Sequence, residues 1–97
     1  MKARHAFVAG MLLCAGAAPA LAAEAPPGAA SCTGCHAANA NVETAVPRLA
    51  GQDATALAAA LLAFRAGRRP ATVMDRIAKG FSDDEIRAIA AWFGAQR

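Results

Sequence analysis

The sequence predicts a small all-α domain of three to four helices wrapped around one covalently bound group. Three observations carry that prediction. Apolar residues recur at helical spacing in two stretches, each with its own start and stop signals. No run alternates with the period of a strand. Cys32-Thr33-Gly34-Cys35-His36 gives a short chain something to fold around.

Residues 1 to 22 read as a cleaved export signal. Lys2 and Arg4 make a basic start, and Ala6 to Ala18 is an apolar run. Ala20-Leu21-Ala22 fits the small-x-small cleavage rule, so the mature domain is expected from Ala23 to Arg97. Leu21-Ala22-Ala23 allows cleavage one residue later. The run is shorter than the about 20 residues that span a membrane. Cys14 follows Leu13, where a lipoprotein site needs a small residue, so it reads as part of the apolar run.

A mature chain this short has a thin core and needs a staple or a cofactor. The chain without its cofactor is expected to fold poorly. Cleavage removes Lys2 and Arg4, taking Lys+Arg from 10 to 8 against 7 Asp+Glu, so the net charge falls from +3 to +1. There is no continuous basic stripe, and nucleic-acid binding is not expected. The export signal places the mature chain in the periplasm, without stable insertion in the membrane.

The elements follow in order. Pro27 is suited to the first position of a short helix running through Cys35, which would put both thiols on one side. Residues 37 to 51 hold two Asn, Pro47 and Gly51 and no sustained period. They read as a loop with Val42, Val46 and Leu49 turned inward. Asp53 is a good N-cap for a helix carrying Leu57, Ala60, Leu61 and Phe64 on one face. Gly67 stops that helix, and Pro70 follows. Thr72 to Lys79 is expected as a short helix with Val73, Met74 and Ile77, ended by Gly80. Ser82-Asp83-Asp84-Glu85 is a capping box for the last helix, whose stripe is Ile86, Ile89, Ala90 and Phe93, widened by Trp92.

Cys32-x-x-Cys35-His36 is the attachment signature of a c-type haem. Two thiols add to the two vinyl groups of one porphyrin, and the adjacent histidine is held beneath the ring as proximal iron ligand. Two other chemistries use these residue types. A thioredoxin-like pair needs a βαβ pattern, which is missing here. Zinc needs four ligands, and the mature chain has no Cys or His beyond these three, so carboxylates would have to complete the set. The two cysteines could also form a disulfide in an oxidising compartment, but haem attachment consumes both.

The sixth ligand follows by elimination. His5, Met1 and Met11 leave with the signal, so His36 is the only mature histidine and Met74 the only mature methionine. Met74 is read as the distal ligand; the competing reading is a plain core methionine. Lys79 is the one substitute. A His/Met pair fills both axial positions, which suits electron transfer better than chemistry at iron. The carbonyl of Pro47 is a candidate to accept the other ring N–H of His36, against an ordinary loop proline. Leu49 is expected to pack on the ring, against a general core role. Arg65, Arg68 and Arg69 read as a solvated cluster that favours a helix C-terminus, the competing reading being a contact with a haem propionate or a partner. Trp92 and Phe93 read as helix-packing residues.

These features together resemble the class I cytochromes c: Cys32-x-x-Cys35-His36, Pro47-x-Leu49-x-Gly51, the later Met74, and a C-terminal amphipathic helix with aromatics. Leu49-Ala50-Gly51-Gln52 and the segment Pro70 to Ile86 look similar to the cytochrome subunit of flavocytochrome c sulfide dehydrogenase. The resemblance covers nearly all of the mature chain. It implies a haem-anchoring role for Cys32 and Cys35 and axial ligation by His36 and Met74. It also implies a periplasmic electron carrier, not itself catalytic, that accepts electrons from an FAD-containing subunit that oxidises sulfide. Some members carry two haem domains, whereas this chain has one motif. The segment before Cys32 is short and interrupted by prolines, so the family's N-terminal helix and its packing on Trp92 or Phe93 are not assured by the resemblance. The competing functions are a free-standing carrier serving an oxidase or another dehydrogenase, and a haem sensor or enzyme with an open sixth position.

Overall fold

The computed structural model describes residues 16–17, 23–39 and 41–96. The expected export signal lies outside them except for Gly16 and Ala17. Four helices follow in order: α1 (Ala29–Cys32), α2 (Ala54–Arg65), α3 (Met74–Ala78) and α4 (Asp83–Gly94). No strand occurs among the described residues, so the fold is all-α. None of their helices is long and apolar enough to cross a membrane.

Local chemistry explains the helix ends. Asp53 caps α2, its carboxylate accepting from the Ala56 N–H at 2.8 Å. At the other end Gly67 takes φ 70. Its N–H donates to Phe64 at 3.1 Å, and the Arg68 N–H donates to Ala63 at 2.9 Å. That is a Schellman stop, and the left-handed residue in it is the expected glycine. Ser82 and Glu85 form the full reciprocal capping box of α4.

Two helices differ from their sequence expectations. Pro27 does not open α1. The Ala29 N–H bonds to the Pro26 carbonyl at 3.1 Å, and Gly28 has φ 88 and ψ −20. Pro27-Gly28 therefore forms the corner of a type II turn, and the helix begins after it. Further on, α1 ends at Cys32, and Thr33 to Cys35 are turns rather than helix. In α3 the helix starts at Met74, two residues later than expected, with Val73 at the cap position.

α2 packs against both α4 and α3. The core joins Ala29, Leu57, Ile89, Ala90 and Phe93, all buried, with Leu49, Phe81 and Trp92 packed around it. Ala29 brings α1 onto α4 despite the prolines ahead of it. Trp92 meets Phe93 edge-on at 4.9 Å and 76°. Its indole N–H donates to the Ala23 carbonyl at 3.1 Å, which ties Ala23 to α4. Val42 is 50% exposed and does not turn inward. It sits in an aperiodic loop, where apolar character alone specifies no face.

Candidate functional site

The helices enclose one large cavity of about 740 Å³. Cys32, Cys35 and His36 line one side of it, at the end of α1. The following loop contributes Val46, Pro47 and Leu49. The inner face of α2 supplies Ala56, Leu57, Ala60, Leu61 and Phe64, the stripe read from its helical spacing. Ile89, Ala90 and Phe93 of α4 close the back. Val73, Met74 and Ile77 line it from α3 and the residue before it. His36 and Met74, far apart in sequence, thus face one cavity.

His36 is oriented by its own loop. Its Nδ1 lies 2.5 Å from the Pro47 carbonyl oxygen. A carbonyl can only accept, so Nδ1 carries the proton and donates it. That tautomer leaves the Nε2 lone pair free for a metal.

The thiols are unpaired: Cys32 is half-buried and Cys35 exposed. Burial pushes the Cys32 thiol above its ordinary value, opposed by weaker hydrogen bonding nearby. A redox-active thiol of the thioredoxin kind needs the opposite shift. Zinc fares no better. Among the described residues no group of three or more His, Cys, Asp or Glu is placed to hold a metal ion.

The residues present do fit a haem. The cavity walls are mostly apolar, the two thiols and the oriented imidazole sit together, and a methionine enters from another element. Two buried polar atoms, Arg48 Nε and Asp75 Oδ1, have no hydrogen-bond partner among the described residues. One directly follows Pro47 and the other directly follows Met74. Neither residue lines the cavity, so these atoms carry no part of the fit.

Several residues line the cavity although no helical period assigned them a side. Gln52, Arg69, Pro70, Ala71 and Thr72 reach the cavity from loops with no period. Arg69 also sets its guanidinium 4.9 Å from the Phe64 ring centroid. Arg65 is not part of a solvated cluster. It donates from Nη1 to the Phe81 carbonyl at 3.0 Å and pairs through Nη2 with Asp83. These acceptors lie on the segment between α3 and α4 and at the start of α4, which local sequence could not place beside α2.

Comparison with known proteins adds the lineage. Over 64 residues the chain is 41% identical to the cytochrome subunit of sulfide dehydrogenase from Chlorobaculum tepidum, covering 66% of this chain and 58% of that protein. Over 79 residues it is 43% identical to a thiosulfate dehydrogenase electron acceptor from Thiomonas intermedia, covering 79% of this chain and 36% of that protein. It therefore spans less than two thirds of the length of either. No protein-family model matches the chain. Cytochrome c-554(548) of Halomonas halodenitrificans is 36% identical over 70 residues, which cover 68% of this chain and 84% of the cytochrome. With most of a whole cytochrome matched at this identity, the chain belongs to the c-type cytochromes.

Proposed function

We propose that this chain is an exported carrier of single electrons. It would hold one haem c through thioethers at Cys32 and Cys35 and ligate its iron with His36 and Met74. The observation that carries the reading is the shared cavity of His36 and Met74, with His36 Nδ1 bonded to Pro47. When bound, the group supplies a one-electron iron couple.

The chain's own residues do the rest. The Pro47 carbonyl fixes the imidazole plane and keeps its proton on Nδ1. Met74 offers a soft thioether, which favours the reduced metal. Leu49, Leu57, Leu61, Phe64 and Phe93 keep water from the centre of the cavity. Cys32 and Cys35 would anchor one edge of the haem, and that edge is the proposed place for an electron to leave or enter.

The proposed donor is a flavoprotein subunit that oxidises sulfide, and the proposed compartment is the periplasm. The sulfide dehydrogenase relative supports this donor. A thiosulfate dehydrogenase is the second donor, supported by the longer match to its electron acceptor. Stopped-flow reduction of the ferric protein by each purified dehydrogenase distinguishes them. Fast reduction by one and not the other assigns the donor. Reduction by neither would leave a free-standing carrier with a different donor.

The ligand set has its own test. The ferric protein should be low-spin with a weak methionine-to-iron band toward the red, absent in Met74→Ala. A five-coordinate wild-type haem that binds carbon monoxide avidly would overturn the assignment and favour a sensor or enzyme.

A further inference from the structure

Met74 lies on a short segment packed against α2. α3 has five residues, and Val73 at its cap makes no side-chain bond to the helix. A helix of that length does not sustain itself. Ala78 is fully buried, while Val73 and Ile77 line the cavity, so the protein itself buries one small side chain of α3. Contacts at the two ends of the segment add to what the packing on α2 supplies.

Arg65 is placed to make them. It is the last residue of α2, immediately before the chain leaves for the Met74 segment. Its guanidinium reaches the Phe81 carbonyl and the Asp83 carboxylate, which lie just after α3. One rigid fork thus holds two acceptors and joins the two ends of the 66–80 loop at its base. Lysine could match the charge but not the fork. Arg65 does not line the cavity, so it acts without touching Met74's ligand position. The pair is partly open to water, with side chains 30% and 53% exposed, so its strength as an isolated ion pair is modest. Its effect comes from adding a direct tie across the base of a loop whose ends are also held by the packing of α2 on α4.

We propose that Arg65 is a positioning residue that keeps Met74 on the haem iron by clamping the base of the 66–80 loop through Phe81 and Asp83. This rests on the reading of Met74 as axial ligand. The carboxyl of Asp83 is held below the ordinary carboxylate range, first by the hydrogen bond from Arg65 and then by its charge. Asp83 also has a second, looser partner in Arg87 at 3.7 Å, on its own helix. That contact does not cross the loop and serves as a control.

The experiment measures imidazole displacement of the methionine in the ferric haem-loaded protein, alongside the methionine-to-iron band and the denaturation midpoint. Arg65→Gln should accelerate displacement about tenfold, the effect of losing one charge-assisted hydrogen bond. Arg65→Lys should recover part of that loss, and Arg87→Gln should leave the rate at the wild-type value. A purely structural role would lower the denaturation midpoint of Arg65→Gln and leave the rate without denaturant unchanged, which overturns the proposal. If Arg65→Gln does not load haem, Asp83→Asn probes the same clamp from its exposed end; a wild-type rate there also overturns it. A wild-type protein with no methionine band refutes the axial assignment itself, an outcome distinct from failure of the clamp.

Discussion

The backbone of Gly28 lies against the ring of Phe81. A Cβ built on Gly28 would overlap Phe81 Cε1 and sit 3.1 Å from Cζ. The same residue has φ 88, which side chains rarely tolerate. Two constraints therefore meet at the turn that delivers α1, with its thiols, to the core. Gly28→Ala should cost about 1–3 kcal/mol in denaturant unfolding of the haem-loaded protein. Phe81→Ala in the same chain should return part of that loss. Equal costs with and without the Phe81 ring would leave only the backbone explanation.

The start of α4 predicts an acid dependence. The Glu85 carboxyl is held below its ordinary range by the Ser82 backbone N–H first and the Ser82 hydroxyl second. Asp83 is lowered by Arg65. A carboxylate lowered in the fold binds its proton more weakly there than in the unfolded chain. The stabilisation is therefore complete above the ordinary carboxylate range, about pH 4, and is lost as pH falls through the folded values. Glu85→Gln should flatten the acid limb of the urea midpoint and change little at pH 7 beyond the lost charge. Ser82→Ala should cost about 1 kcal/mol at pH 7 and less in acid, where the hydroxyl no longer meets an ionised Glu85. An acid limb of unchanged slope in Glu85→Gln would count against the assignment.

Some of this architecture was legible in the sequence because its cause is local. Asp53, Gly67 and the Ser82–Glu85 box act within four residues of themselves, so composition at fixed offsets predicts them. The α2 stripe at Leu57, Leu61 and Phe64 was legible because helical periodicity encodes a face. The failures have the opposite cause. Val42 carries apolar character in a loop with no period, so nothing assigned it a side. Pro27 fits both a first helical turn and a type II corner, and only the glycine after it, in contact with Phe81, decides between them. Arg65 bonds to Phe81 and Asp83, and no offset rule reaches that far along the chain. Gln52 and Arg69 reach the cavity only through the path of their loops. The placement of His36 beside Pro47 could be anticipated from what a ligating imidazole requires, but its distance could not.

The two thiols should differ in exposure and agree in consequence. Cys32 is half-buried with its thiol pushed up by burial, and Cys35 is exposed. Each single serine variant should keep haem attached through one thioether and retain colour on a denaturing gel. Cys32→Ser/Cys35→Ser should lose that colour entirely. The alkaline pyridine spectrum should move to longer wavelength as each thioether is replaced by a free vinyl group. A gel colour that survives the double substitution would mean that the attachment lies elsewhere.

The bond from Trp92 to Ala23 bears on where the mature chain begins. Both cleavage positions expected from the sequence leave Glu24 in place, but only cleavage after Ala22 keeps the Ala23 carbonyl that Trp92 uses. Trp92 is half-buried and its bond to Ala23 is open to water, so losing that bond has the modest cost of one hydrogen bond. Intact mass of the exported protein should therefore correspond to a chain starting at Ala23. Trp92→Phe retains an aromatic ring beside Phe93 and removes the donor. It should lower stability by about 1 kcal/mol and expose the residues before α1 to proteolysis. A version made to start at Glu24 should show the same loss, and adding Trp92→Phe to it should cost little more. Full stability in the Glu24 version would show that the strap from Ala23 contributes nothing to the fold.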